Sequence, residues 1–153
     1  MKAVSALVLA VIMLAGAPAR AAEFGLGMDL IRLIDQNQDE GMDNLWFQFA
    51  TSGNGAVLLG YASGDTLTVL DVAYKHYLGG RLDSVFFQAG AGYYDNDVTD
   101  DLGFVGALGY ERKLAKHFTI GGSVKLIAGV DEVLLNTVET PVFQPTLSVA
   151  LVF

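Results

Sequence analysis

The chain has 153 residues, of which 52 % are hydrophobic, and carries a formal net charge of −8 without any cysteine. The missing cysteines exclude disulfide bonds and thiolate metal sites, and the acidic balance excludes a nucleic-acid partner bound through phosphate contacts. Beyond the N-terminal segment, no uninterrupted apolar run approaches the roughly 20 residues that a membrane-spanning helix needs.

The first 21 residues have the layout of a secretory signal peptide. Lys2 forms a short positive region, residues 3–15 are almost all apolar, and the small residues Ala19 and Ala21 on either side of Arg20 form a cleavage site. We therefore expect a cleaved signal peptide over 1–21 and one exported domain over 22–153. Cleavage removes two of the nine basic residues, so that seven remain against 17 acidic ones, a net charge of −10.

Eight segments of the mature chain alternate apolar residues with small or polar ones, which is the two-residue period of a β-strand. They span residues 24–33, 45–52, 56–63, 66–78, 84–94, 102–113, 118–130 and 143–153. Glycine-containing turns such as Gly64-Asp65 and Gly79-Gly80 separate consecutive segments, as in hairpins. The pattern predicts an all-β antiparallel meander.

The two faces of these strands differ in a way that indicates their surroundings. One face carries Leu, Val, Phe and Tyr, and the other carries Gly, Ala, Ser and Gln. The mid-strand charges all lie on the small and polar face: Asp29, Asp71, Lys75, Glu111 and Lys125. A water-soluble barrel would fill its interior with the bulky apolar residues, whereas a membrane barrel turns them toward lipid. The sequence therefore predicts an eight-stranded antiparallel transmembrane β-barrel with up-and-down topology.

The connections between strands form two groups of opposite charge. With an even strand number, both ends of the mature chain lie on one side, and export by a signal peptide makes that side the periplasm. The short turns are then periplasmic: 52–55, 79–83 and 114–117. The external loops hold 12 of the 17 acids and no Lys or Arg: 34–44, 63–66, 95–101 and 131–142. The periplasmic rim instead holds Arg81, Arg112, Lys113 and Lys116. Short periplasmic turns and longer outer loops are the bacterial outer-membrane pattern.

The last strand, PTLSVALVF, places Leu147, Val149, Leu151 and Phe153 on one face. With the signal peptide and the eight alternating segments, it resembles the small Gram-negative outer-membrane β-barrels of the OmpX and OmpA transmembrane-domain type. The segments QAGAGYYD and GALGYERKLAKHFTIGGSVKL are similar to YfaZ-like proteins. The resemblance implies an outer-membrane protein surrounded by lipid and lipopolysaccharide. It also implies that these four residues are the assembly signal read by the barrel-assembly machinery.

Catalytic chemistry is not expected, and neither is a cofactor. Outer-membrane lipid enzymes need a nucleophile and a histidine base near the outer leaflet. His76 is predicted to face lipid near the periplasmic end of the fourth segment, and His117 lies in a periplasmic turn. Neither position reaches an outer-leaflet substrate, so we expect no catalytic residue and no enzyme.

One acidic loop invites a metal hypothesis. Asp95, Asp97, Asp100 and Asp101 supply a dense set of oxygen ligands, which hard cations prefer. The spacing is not that of an EF-hand, so no specific metal site is predicted. A solvated acidic loop is the favoured interpretation, and loose binding of divalent cations that bridge to lipopolysaccharide phosphates is the alternative.

The five mid-strand charges are expected to pair inside the barrel, because a lone buried charge is costly. By depth, Lys125 lies near Asp29 and Asp71, and Lys75 lies near Glu111. Eight strands enclose a space that side chains can fill. We therefore predict a plugged lumen without a continuous channel.

The apolar segment 130–143 is the best candidate for an interaction element. It could extend the last two strands above the membrane as an edge that pairs with another chain, or form an ordinary barrel rim. The sequence thus favours a monomeric outer-membrane barrel with a structural or surface-interaction role. A small passive channel, an outer-membrane lipid enzyme and a soluble secreted barrel that binds an apolar ligand are the alternatives.

Overall fold

The computed structural model describes residues 24–34, 41–51, 53–137 and 140–153. Its eight strands are β1 Phe24–Asp29, β2 Asp43–Ala50, β3 Gly55–Ser63, β4 Thr68–Tyr77, β5 Ser84–Asp95, β6 Asp100–Ala115, β7 Phe118–Ala128 and β8 Val142–Val152. Neighbouring strands pair in sequence order and β8 pairs with β1, so the sheet is a closed barrel. The predicted eight-stranded antiparallel meander is confirmed. The expected signal peptide lies outside the described residues.

Helical structure is confined, within the described ranges, to a three-residue 3-10 turn at Arg32–Ile34. No helix in this part of the chain is long and apolar enough to cross a membrane.

Antiparallel pairing between β1 and β8 closes the barrel. Leu26 lies opposite Leu151, and Gly27 lies opposite Ala150. Beyond the ladder, the Phe153 amide donates to the Phe24 carbonyl oxygen at 2.8 Å, and the reverse bond measures 3.2 Å. The last strand therefore has partners on both sides, and the sheet has no open edge there.

The two ends of the barrel keep different characters. The basic end is the end of the barrel that contains the turns after β2, β4 and β6 and the residue Phe153. The acidic end holds the connections after β1, β3, β5 and β7. Aromatic rings surround the chain ends at the basic end, where the Phe24 ring lies 5.4 Å from Phe49 and 6.3 Å from Phe153, centroid to centroid. Such rings are typical of the interfacial girdles of membrane barrels.

β1 is shorter than the predicted segment 24–33 because the Asp29 carboxylate redirects the chain. Asp29 Oδ1 accepts hydrogen bonds from the backbone amides of Ile31, at 3.0 Å, and Leu147, at 3.1 Å. The Asn44 side chain completes the arrangement by bonding both the amide and the carbonyl of Asp29. The backbone groups that leave the ladder are thus satisfied, and the chain turns into the 3-10 segment.

The segment after β7 does not extend the strands above the barrel as an edge. β7 ends at Ala128, and β8 begins only at Val142. Val130 and Leu134 are each 4 % exposed and belong to an apolar cluster across the acidic end of the barrel. The extended hairpin considered for this segment is therefore wrong in the described residues, because burying these side chains favours folding inward over projecting outward.

Candidate functional site

A buried ion pair occupies the half of the lumen nearest the basic end. Lys75 Nζ lies 2.5 Å from Glu111 Oε2, and both side chains are almost fully buried. The Tyr77 hydroxyl donates to the same carboxylate oxygen at 2.7 Å. Gln48 completes the network, because its Oε1 accepts from Lys75 at 3.3 Å and its Nε2 donates to the Tyr77 hydroxyl at 3.1 Å. Each buried charge therefore has several polar partners, as burial requires.

Aromatic rings surround the ammonium group of Lys75. Its Nζ lies 4.1 Å from the ring centroid of Phe86, 5.1 Å from Tyr77 and 5.8 Å from Trp46. These distances are within the range of cation–π attraction, which is strongest where water is excluded. The rings pack closely around the Lys75 ammonium group and limit its exposure to solvent.

A second ion pair lies in the other half of the lumen. Lys125 Nζ is 2.7 Å from Asp71 Oδ2, and the two side chains are 10 % and 11 % exposed. Asp29 is also buried, but its carboxylate Oδ1 accepts from backbone amides, as described above. The structure therefore brings Lys125 directly to Asp71 and gives Asp29 a role in shaping the rim.

A polar cavity of about 100 Å³ lies beside this second pair. Charged and polar side chains dominate the part nearest the acidic end: Asp29, Arg32, Asn44, Asp71, Lys125, Ser123, Thr146 and Ser148. The cavity extends inward to Trp46, Lys75 and Phe86. Its size and its polar side chains suit several water molecules. Both residues of the Lys125–Asp71 pair line the cavity, whereas only the lysine of the Lys75–Glu111 pair does.

Apolar clusters fill both ends of the lumen. The basic-end cluster consists of Tyr77, Leu82, Phe86 and Val152. The acidic-end cluster consists of Met42, Ala62, Val69, Tyr94, Ile127, Val130 and Leu134. Leu82, which adopts a positive φ of 65° in the turn after β4, is 2 % exposed and turns its side chain into the barrel mouth. Buried apolar side chains thus occupy the described lumen at both ends.

The outer face of the barrel is an apolar belt. In the described strands, the outward positions between the two rims carry no Asp, Glu, Lys or Arg. The outward charged residues lie at the rims themselves: Asp43, Asp95 and Asp100 at one, and Arg112 at the other. Large side chains in the belt are well exposed, among them Leu108 at 62 % and Val124 at 52 %. We use the name outer belt for these outward residues.

The terminal residues of the predicted assembly signal lie on this outer surface. Leu147, Leu151 and Phe153 are exposed, and Val149 is half-buried. The ring of Phe153 stacks with Phe24 and lies 6.3 Å from the His117 ring. These side chains therefore point outward from the barrel.

The two histidines lie apart from the lumen charges. His76 is on the outward side of β4, with its ring 5.2 Å from that of Phe87. His117 lies in the turn after β6, where its Nδ1 is 2.7 Å from the Val152 carbonyl oxygen. Both rings thus occupy places that suit packing and turn closure.

The acidic loop after β5 is held by its own backbone. The Asn96 side-chain oxygen accepts from the amides of Val98 and Thr99 at 2.9 and 2.8 Å. Asp101 is tied to its surroundings, because its Oδ2 accepts from the Asp131 amide at 2.9 Å. Across the described ranges, no group of three or more His, Cys, Asp or Glu side chains is arranged to hold a metal ion. Asp95, Asp97 and Asp100 share the loop but are not gathered into such a group.

Sequence reasoning missed the polar and aromatic partners of Lys75. Tyr77 follows it on the same face of β4, and this spacing could have indicated a lumen position. Gln48 and Phe86 come from other strands, and only the pairing register brings them to the same depth.

No protein-family model and no curated protein matches this chain.

Proposed function

We propose that this protein is an integral outer-membrane β-barrel, of the same general type as OmpX and the transmembrane domain of OmpA. It has a structural or surface-interaction role, a side-chain-plugged lumen and acidic external loops. In this proposal the basic end and both mature termini lie in the periplasm. The protein is a monomer, surrounded by lipid and lipopolysaccharide and inserted by the barrel-assembly machinery.

One observation carries this proposal: the barrel has its charges inside and its large apolar residues outside. Soluble monomers rarely expose a contiguous apolar patch beyond a few hundred Å², whereas the outer belt surrounds all eight strands. On β6 the belt runs from Leu102 to Tyr110, which covers roughly 20 Å of height at a strand tilt of about 40°. That height is close to the hydrocarbon band of known membrane barrels.

The lumen argues against an apolar ligand inside a soluble barrel. The cavity beside Lys125 is lined by several charged side chains, Asp29, Arg32, Asp71, Lys75 and Lys125, which an apolar ligand would not complement. A site for an apolar ligand is lined mainly by hydrophobic side chains with only a few polar groups. An enzymatic role has no support in the placement of His76 and His117, since each has a packing or turn-closing environment.

A small passive channel is the second candidate, because the lumen contains that polar cavity. Conduction would require both apolar clusters to open. Conductance recordings of refolded protein in a planar bilayer distinguish the two candidates. A plugged barrel gives no stable conductance steps, whereas reproducible single-channel steps favour the channel.

Membrane location is tested by expressing the full chain in a Gram-negative host and separating the cell fractions. We expect recovery in the outer-membrane fraction. We also expect different gel mobility of unboiled and boiled samples, because a closed barrel resists detergent until heated. Recovery in the soluble fraction with identical mobility in both lanes would contradict the proposal.

A further inference from the structure

The β6–β7 hairpin projects from the basic end of the barrel. β6 has 16 residues and is the longest strand. Ser84, the first residue of β5, pairs with Glu111, so residues 112–115 of β6 lie beyond the β5 ladder. They pair only with the start of β7, through Lys113–Thr119 and Ala115–Phe118. The hairpin tip therefore extends past its neighbour on one side.

Every described charge on this tip has the same sign. Arg112, Lys113 and Lys116 are exposed, and no acid occurs within 112–117. Glu111 points into the lumen, where Lys75 already pairs with it. The adjacent turn after β4 contributes one more cation and one exposed acid, Arg81 and Asp83. The net positive surface fits an anionic partner.

Exposed apolar side chains accompany these cations. Leu114 is 55 % exposed and Phe118 is 37 % exposed, and both continue the outer belt toward the end of the barrel. A soluble polyanion would complement the cations but would leave these apolar groups in water. A phospholipid surface complements both, because its headgroups meet the cations and its acyl region meets the apolar side chains.

We propose that residues 112–118 form a docking surface for anionic phospholipid headgroups in the leaflet at the basic end. This inference rests on the proposed membrane location and adds a lipid preference to it. Basic residues near a membrane surface each strengthen binding to anionic lipid by about fivefold. The surface would therefore enrich such lipids locally and fix the depth of the barrel.

The test places a fluorescent reporter within the surface. The mature protein carrying Leu114→Trp is folded into vesicles of phosphatidylcholine mixed with phosphatidylglycerol, with one of the two lipids brominated. The matched control is Leu102→Trp, an exposed belt position at the acidic end. The native Trp46 lines the lumen cavity, so wild-type protein gives the background. Unboiled gels verify that each variant is folded.

At position 114, we expect brominated phosphatidylglycerol to quench the tryptophan more strongly than brominated phosphatidylcholine does. The ratio of the two quenching efficiencies should be at least about fivefold larger at 114 than at 102. Combining Leu114→Trp with Arg112→Gln, Lys113→Gln and Lys116→Gln should abolish this preference. The matched control keeps the charges and should retain the preference: it combines Leu114→Trp with Arg112→Lys, Lys113→Arg and Lys116→Arg.

Equal quenching by the two lipids at 114, or a preference that survives neutralisation, would overturn this inference while leaving the membrane location intact. A folded protein whose reporters are quenched by neither lipid would overturn the membrane location and this inference together.

Discussion

The lumen contains two lysine–carboxylate pairs whose surroundings differ. The Lys75–Glu111 pair is 6 % and 4 % exposed, receives a hydrogen bond from Tyr77 and is surrounded by aromatic rings. The Lys125–Asp71 pair is 10 % and 11 % exposed and adjoins the polar cavity. The chemistry of the two pairs is nearly the same. The first pair is enclosed by rings and hydrogen bonds and reaches the cavity only through Lys75, whereas both residues of the second pair line the cavity.

This difference indicates where the barrel depends most on its interior charges. A charge left alone in a low-dielectric environment is far more costly than one that water or another charge can reach. The Lys75–Glu111 pair should therefore be the stronger structural constraint, because Glu111 does not line the cavity. The Lys125–Asp71 pair should tolerate loss of its lysine better, because Arg32 lines the same cavity as Asp71 and is a second cation for that carboxylate.

The largest effect is expected for Lys75→Met, which leaves Glu111 buried without its cation. We expect the free energy of unfolding, measured by urea titration of vesicle-folded protein, to fall by about 3–5 kcal/mol. The double variant Lys75→Met/Glu111→Gln should recover much of this loss, because the unpaired charge is then gone. A loss below about 1 kcal/mol in the single variant would mean that the Lys75–Glu111 pair does not constrain the fold.

Lys125→Met should have a smaller effect, about 1–3 kcal/mol in the same titration. The cavity has room for water, which together with the Arg32 guanidinium would stabilise the remaining Asp71 carboxylate. A loss equal to that of Lys75→Met would remove the contrast between the two halves of the lumen.

The smallest loss of stability is expected for Tyr77→Phe, and the comparison is with Tyr94→Phe. Tyr77→Phe removes a hydrogen bond to the Glu111 carboxylate and should cost about 1.5 kcal/mol. The Tyr94 hydroxyl, in the acidic-end cluster, has no hydrogen-bond partner among the described residues. Tyr94→Phe is therefore the matched control and should be neutral or slightly stabilising. Equal losses for both variants would contradict the hydrogen-bond network assigned to the basic half.

The fold could be predicted from the sequence because each strand repeats the same two-residue alternation. The facing of Lys75, Glu111, Asp71 and Lys125 follows from that alternation alone. Which side chains meet inside the barrel depends on the register of neighbouring strands, and this is why the approach of Gln48 to Tyr77 and Lys75 was not foreseen.

Elements that break the alternation were predicted less well. Asp29 was expected to be one more lumen charge, and it does line the lumen cavity. The sequence did not show that its carboxylate also bonds backbone amides and ends β1. The sequence left two possibilities open for the segment from Val130 to Leu134, a strand extension and an ordinary barrel rim, and only the structure shows that both side chains are buried in the barrel mouth. Where a strand ends and which loop side chains are buried depend on tertiary contacts, and the local sequence pattern does not contain these.

The most direct test of the account is a pair of lysine substitutions on the outer face of β6. Leu108 and Leu114 are 62 % and 55 % exposed, but Leu108 lies within the belt and Leu114 lies at the basic rim. If lipid surrounds the belt, Leu108→Lys should lower the free energy of unfolding in vesicles by about 2–4 kcal/mol, and Leu114→Lys by at most about 1 kcal/mol. If both variants are as stable as the wild type, the outer belt faces water, and the membrane assignment is wrong.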